Sequence, residues 1–311
     1  VREWADAGGR NLTQVCRQLG YSKQAYYKSL QKRRLKSSKF AIVRDKVLAV
    51  RSELPRLGGR KLHYLLQEDL KRGCLSLGRD RLFDLLRQEG LLVRRRRRYT
   101  KTTDSRGWMR QYPDRVKGLK ATRPEQVWVA DITYLQVGDG FCYLHLITDA
   151  YSKKIMGYHL SKSLAATATT EALRQALQQR RYPELPLIHH SDRGLQYSSA
   201  LYTSLLKQHG IEISMTQDGS PYDNAIAERV NGILKDEFGL DGILPDELTT
   251  VKMVRQSIML YNEKRPHLSN HYLTPEQMHK QSVLTPKAWH KKACLPSKEG
   301  PQAFSTFAAV T

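Results

Sequence analysis

The chain is 311 residues long, 40% hydrophobic and 26% charged, and carries a formal net charge of +22. That balance suits a soluble globular protein of two or three domains, and no run of about 18 apolar residues offers a transmembrane span. Cys16, Cys74, Cys142 and Cys294 are scattered with no C-x-x-C pair, which argues against a zinc finger or a disulfide framework and for reduced thiols in an intracellular protein.

The charge is unevenly placed. Residues 1–120 hold 32 Lys and Arg against 11 Asp and Glu, whereas the rest holds 20 against 19. This asymmetry points to a nucleic-acid-binding module joined to a neutral one, with membrane-surface binding as the alternative. The opening Val-Arg-Glu-Trp-Ala-Asp lacks the apolar core of a signal peptide. A start at Val rather than Met suggests a truncated, processed or frameshift-derived product, or an unusual start.

In chain order, residues 11–33 read as two short helices. Val15, Cys16 and Leu19 have helical spacing, Gly20 ends the first helix, and Ser22 caps a second that begins at Lys23 and leads into Lys32, Arg33 and Arg34. This is the outline of a helix-turn-helix, and equally of a plain helical hairpin. A longer helix is expected over about 38–53, with Phe40, Val43, Val47 and Val50 on one stripe. Gly58-Gly59 then opens a helix with Leu62, Leu65 and Leu66, and Gly78 precedes another with Leu82, Leu85 and Leu86. This second trihelical group also has a helix-turn-helix outline. Its last helix carries Arg79, Arg81 and Arg87, suited to phosphates or base edges. Arg94, Arg95, Arg96, Arg97 and Arg98 follow, a run that is either a solvated linker or a track along a DNA backbone.

From residue 126 the texture changes. Val127 to Tyr134, Phe141 to Ile147 and Ile155 to Leu160 read as three strands in series, with Gly138-Asp139-Gly140 as a turn. A helix over Ala165 to Gln179, a short strand at Leu187-Ile188, a helix near 198–209, a strand over Ile211 to Met215 and a helix starting near Asn224 complete a mixed α/β order. The expected organisation is 1–53 and 54–98 as two helical, helix-turn-helix-like units, 99–124 as a basic linker, 125–285 as the α/β core and 286–311 as a tail.

Three acids in this core stand out: Asp131 within the first strand, Asp192 directly after the short apolar strand, and Glu228 in the first turns of a helix. An acid inside a buried strand is costly unless paired or bound to metal, and the carboxyl end of a parallel strand is where α/β sheets place ligands. Converging carboxylates suit Mg²⁺ or Mn²⁺, and a pair of such ions drives phosphodiester chemistry. Asn224 lies one helical turn before Glu228 and Lys235 two turns after it, on one face. His190 can orient a phosphate or water, or serve as a structural histidine. Asp149 and Asp223 read as turn, cap or supporting acids rather than members of the trio. The segment Tyr261 to His267 either contacts DNA or packs on the core.

Trp128-Val-Ala-Asp131-Ile-Thr-Tyr, His190-Ser-Asp192-Arg-Gly-Leu-Gln-Tyr197, Ser220-Pro-Tyr-Asp-Asn-Ala-Ile-Ala-Glu228, Lys235, Tyr261-Asn262 with Arg265-Pro266-His267, and Leu273-Thr274-Pro275 together resemble bacterial transposases of the insertion sequence three family, the product of the second reading frame. The resemblance covers about 125–280. It implies a ribonuclease H-like, retroviral integrase-like core preceded by an all-α helix-turn-helix region. Asp131, Asp192 and Glu228 would be a catalytic DDE triad holding two Mg²⁺ (or Mn²⁺), with Lys235 as the basic residue after it. The implied activity is cleavage and joining of DNA at the ends of a mobile element. The implied partners are double-stranded terminal repeats and target DNA, further copies of the chain in a synaptic complex, and an upstream reading-frame product, in the bacterial cytoplasm at the nucleoid. The expected DNA contacts are Lys23, Arg79, Arg81, the run Arg94 to Arg98, His190, Asn224 and Lys235. A DNA-binding regulator without catalysis and a nuclease acting on RNA–DNA hybrids are the competing readings.

Overall fold

The computed structural model of the protein describes residues 12–73, 75–93, 112–216 and 225–287. The helical region begins with α1 (Leu12–Gln18) and continues into α2 (Lys23–Glu53), α3 (Gly59–Arg72) and α4 (Arg79–Gln88). Ser22 caps α2, its side chain accepting from the Ala25 N–H at 3.0 Å. The sequence suggests separate helices on either side of residue 35, but α2 runs through unbroken for 31 residues. No Gly or Pro interrupts 23–53, and polar and basic residues propagate a helix well. The second half of α2 joins α3 and α4 around Val43, Val47, Leu62, Leu66, Leu82, Leu85 and Leu86, so the expected trihelical group is present as a packed unit.

The core is a five-stranded sheet. Strands β1 (Val127–Val137), β2 (Gly140–Asp149) and β3 (Ile155–Ser161) form an antiparallel meander, and β4 (Ile188–Ser191) and β5 (Glu212–Met215) add in parallel on the other side of β1. The order is β3-β2-β1-β4-β5, which makes β1 central. The helices are α5 (Ala166–Gln178), α6 (Leu195–Ser198), α7 (Ala200–Gln208), α8 (Ala225–Phe238), α9 (Glu247–Glu263) and α10 (Pro275–His279). This mixed α/β arrangement is the ribonuclease H-like core.

Alternation along β1 divides the molecule. Trp128 and Ala130 face one layer, where Ala172, Leu173 and Ala176 of α5 and Tyr202 and Leu206 of α7 are buried. A Cβ on Gly157 would lie 2.1 Å from the Ala172 carbonyl oxygen, so α5 lies against β3 only because that position is glycine. Val127 and Val129 face the opposite layer, where Ala227 and Ile226 of α8 cover them.

The helical unit docks on this second layer. Phe238 and Leu260 pack against its core, the rings of Tyr64 and Tyr272 stack at 4.4 Å, and Lys61 of α3 reaches Glu237 of α8 at 3.5 Å. None of the helices among the described residues is long and apolar enough to cross a membrane.

Candidate active site

The strand register brings the two aspartates together. Val129 of β1 pairs with His190 of β4, the last couple in that ladder, and Asp131 and Asp192 each stand two residues further along. On its other side Asp131 opposes Leu146 of β2. The period of two keeps Asp131 on the face of Val127 and Val129, the face that α8 covers. Glu228 lies in the first turn of α8. Its side chain is exposed, while Ala227, Val230 and Asn231 are buried.

Each aspartate is held in place. The Asn231 amide donates to Asp131 Oδ2 at 2.7 Å, and the Gly194 N–H donates to Asp192 Oδ1 at 2.9 Å. A Cβ on Gly194 would stand 3.0 Å from that same Oδ1 and 2.7 Å from Gln196 Oε1, so a side chain here would push both the Asp192 carboxylate and the Gln196 amide aside. Arg193 donates to the Thr216 carbonyl at 2.7 Å and ties this turn to the end of β5.

Neither aspartate has a salt-bridge partner among the described residues. Crowding by surrounding protein, then the Asp192 charge and, more weakly, that of Glu228, push the Asp131 carboxyl up to about 7 against the opposing Asn231 bond. Burial likewise raises Asp192, offset by the Gly194 N–H and His190. The donor set is all oxygen, as Mg²⁺ prefers. Asn231 Oδ1 is buried beside it with no hydrogen-bond partner among the described residues. The residues therefore fit a divalent cation chemically. They do not yet enclose one, since no three His, Cys, Asp or Glu among the described residues close on a single point.

The other expected residues are dispersed. His190 is buried, with Nδ1 2.9 Å from Ser214 Oγ. The Lys235 ammonium lies over the Tyr134 ring, 4.5 Å from its centroid. Lys23 is exposed at the start of α2, Arg79 pairs with Asp80 at 2.9 Å, and Arg81 lines a groove between α2 and α4. Arg94 to Arg98 and Asn224 lie outside the described residues.

Two buried networks escaped the sequence reading. Arg265, 1% exposed, makes two bonds to Glu237 at 2.8 and 2.6 Å and a third to His267 at 2.8 Å. Asn262 bonds both the N–H and the carbonyl of Ile155, and the Tyr261 hydroxyl reaches the Lys153 carbonyl. The segment Tyr261 to His267 thus packs on the core. The second network joins His279 to Glu125 at 3.2 Å and Ser152 at 3.1 Å, with Asp149 at 3.6 Å. Asp149 also accepts from the N–H groups of Glu125 and Ser152, so it is a structural acid. The sequence hint for Asn231 was available, because it lies three residues after Glu228 on one helix.

Comparison with known proteins agrees with this architecture. Integrase core domain models match residues 121–221 and 209–275. An insertion element IS600 31 kDa protein of Shigella sonnei is 33% identical over 258 residues, 81% of this chain and 93% of that one. The chain belongs to the insertion sequence three family of transposases. The transposase for IS629 of Shigella sonnei is 44% identical over 123 residues, 39% of this chain and 41% of that one. Transposase InsF for IS3fB of Escherichia coli K12 is 34% identical over 164 residues, covering 52% and 57%. Among solved structures, the HTLV-2 integrase catalytic core in complex with magnesium is 21% identical, covering 50% of this chain and 97% of that one, with a TM-score of 0.41. Membership makes the protein a DDE-type transposase, a polynucleotidyl transferase by class.

Proposed function

We propose that this transposase cuts and joins DNA at the ends of its insertion sequence, with Asp131, Asp192 and Glu228 as its catalytic, metal-holding residues. One observation carries the reading: a shared register sets Asp131 beside Asp192 within electrostatic range of Glu228. Glu228 completes the set by turning inward from its exposed position on α8. Two Mg²⁺ (or Mn²⁺), when bound, supply activation of a water or 3′-hydroxyl and stabilisation of the leaving oxygen. The protein's part is to fix the acids. Asn231 and the Gly194 N–H hold Asp131 and Asp192, and the Arg265–Glu237 pair anchors the far end of the Glu228 helix.

The helical units bind double-stranded terminal repeats through helix-turn-helix elements, with Lys23, Arg79, Arg81 and the run Arg94 to Arg98 on phosphates. Asn224 and Lys235 serve DNA nearer the acids, whereas His190, buried against Ser214, supports the strand that leads to Asp192. Target DNA, a synaptic multimer of this chain and an upstream reading-frame product complete the assembly at the bacterial nucleoid. The domain limits are those of the sequence analysis, except that the second half of α2 belongs with α3 and α4. The test is incubation with the flanking element ends and Mg²⁺, with nicks and joints mapped at nucleotide resolution. Specific end cleavage, lost in Asp192→Asn with folding retained, is expected; unchanged activity in that variant rejects the assignment.

A further inference from the structure

Beside the acids is a cavity of about 430 Å³, within the size range of small-ligand sites. Three of its wall residues, Val129, His190 and Ile226, each stand two positions before a member of the acidic trio. On a strand two residues span about 7 Å, close to two nucleotide steps of a duplex strand. Cavity and the two aspartates therefore share one face of the sheet, a nucleotide or two apart.

The lining has two characters. Val116, Leu119 and Ile226 supply an apolar wall over the buried Val127 and Val129, and Lys117, Lys120, Lys153 and Lys287 supply cations. The single acid in the lining, Asp114, accepts from the N–H groups of Val116 and Lys117. Lys153 is unusual. It holds φ at +65°, a region that favours glycine, and is fixed there by its N–H to the Asp149 carbonyl and by the Tyr261 hydroxyl on its own carbonyl. Its half-buried ammonium donates to the Ala150 carbonyl and makes no ion pair among the described residues. A strained backbone thus holds a cation at the wall of an apolar cleft. A flat apolar group bearing an anion fits such a lining.

We propose that this cavity receives one unpaired nucleotide of the DNA strand being processed, its base against Val116, Leu119 and Ile226 and its phosphate on Lys153 and Lys120. The inference rests on the reading of the neighbouring acids as a DNA-cleaving centre, and it adds that the reacting strand is unstacked there.

The test uses the full chain without added metal. The probes are a short blunt duplex and the same duplex with a single-stranded overhang carrying a fluorescent purine analogue at each overhang position in turn. The fluorescence of one overhang position should change on binding. Lys120→Met, an exposed change that spares the fold, and Lys153→Met should each weaken the overhang probe about tenfold more than the blunt duplex. Ala121→Phe, which fills the cavity, should abolish the fluorescence change. Absence of a signal at every overhang position, or equal weakening of both probes, overturns the proposal. Asp192→Asn should keep the fluorescence response while losing strand transfer. If strand transfer persists in that variant alongside the response, the catalytic reading falls and the nucleotide pocket stands.

Discussion

Two sets of acids lie in the same core and behave in opposite ways. Asp131 and Asp192 have amide donors but no salt-bridge partner among the described residues, and both carboxyls are pushed above the ordinary range. Glu237 and Glu125 are as closely surrounded, and burial alone would raise them. Arg265 and Lys61 around Glu237, and His279 with the N–H groups of Arg181 and Tyr182 around Glu125, pull both below the ordinary range instead. The second set stabilises the fold. The first set is destabilised by burial while charged, a strain that protonation or a bound cation relieves, and this is the electrostatic difference between the two sets.

Asp192→Asn should break the contrast most visibly, lowering strand transfer about a thousandfold while the metal-free protein stays folded and melts somewhat higher at neutral pH, because burial raises this carboxyl as well. A radiolabelled strand-transfer assay with parallel calorimetry reads both. Arg265→Ala should do the reverse in kind. It leaves Glu237 buried beside Lys61 with its main partner gone, at a cost of about 3–5 kcal/mol, readable as a lower urea midpoint. Asp131→Asn should stabilise the metal-free protein. A carboxyl raised from 3.8 to about 7 loses stability as pH climbs between those values, so the variant should be firmer by about 2–4 kcal/mol at pH near 8 and indistinguishable in acid.

His279→Gln sharpens the other side of the comparison. The imidazole is lowered by burial but raised more by hydrogen bonds to Asp149 and Glu125, so the balance is upward from 6.5. Its contribution is complete below the unfolded value and disappears as pH rises through the folded one. Wild type should therefore exceed the variant by about 1–3 kcal/mol in mild acid and converge on it in alkali, which a series of melts across pH will show. The smallest effect belongs to Asp80→Asn. It removes the exposed Arg79–Asp80 pair and should change stability by less than about 1 kcal/mol.

The strands of the core were legible because β1, β2 and β3 are mostly apolar segments bounded by turn residues, and the nearness of Asp131 to Asp192 follows from the strands that carry them. The continuity of α2 was not, since Ser37-Ser38 resembles a boundary while nothing there stops a helix. The networks around Arg265 and His279 join residues 28 and 154 positions apart, a separation that no local periodicity records. His190 read equally well as a phosphate ligand or a structural residue. Its bond to Ser214 of β5 appears only once β4 and β5 are paired.

The decisive measurement is Mn²⁺ binding, followed by electron paramagnetic resonance, on the full chain bound to its DNA ends. If the three side chains share one pair of ions, Asp131→Asn, Asp192→Asn and Glu228→Gln will each abolish the bound-ion signal. Wild-type stoichiometry in any one of the three variants would contradict that sharing.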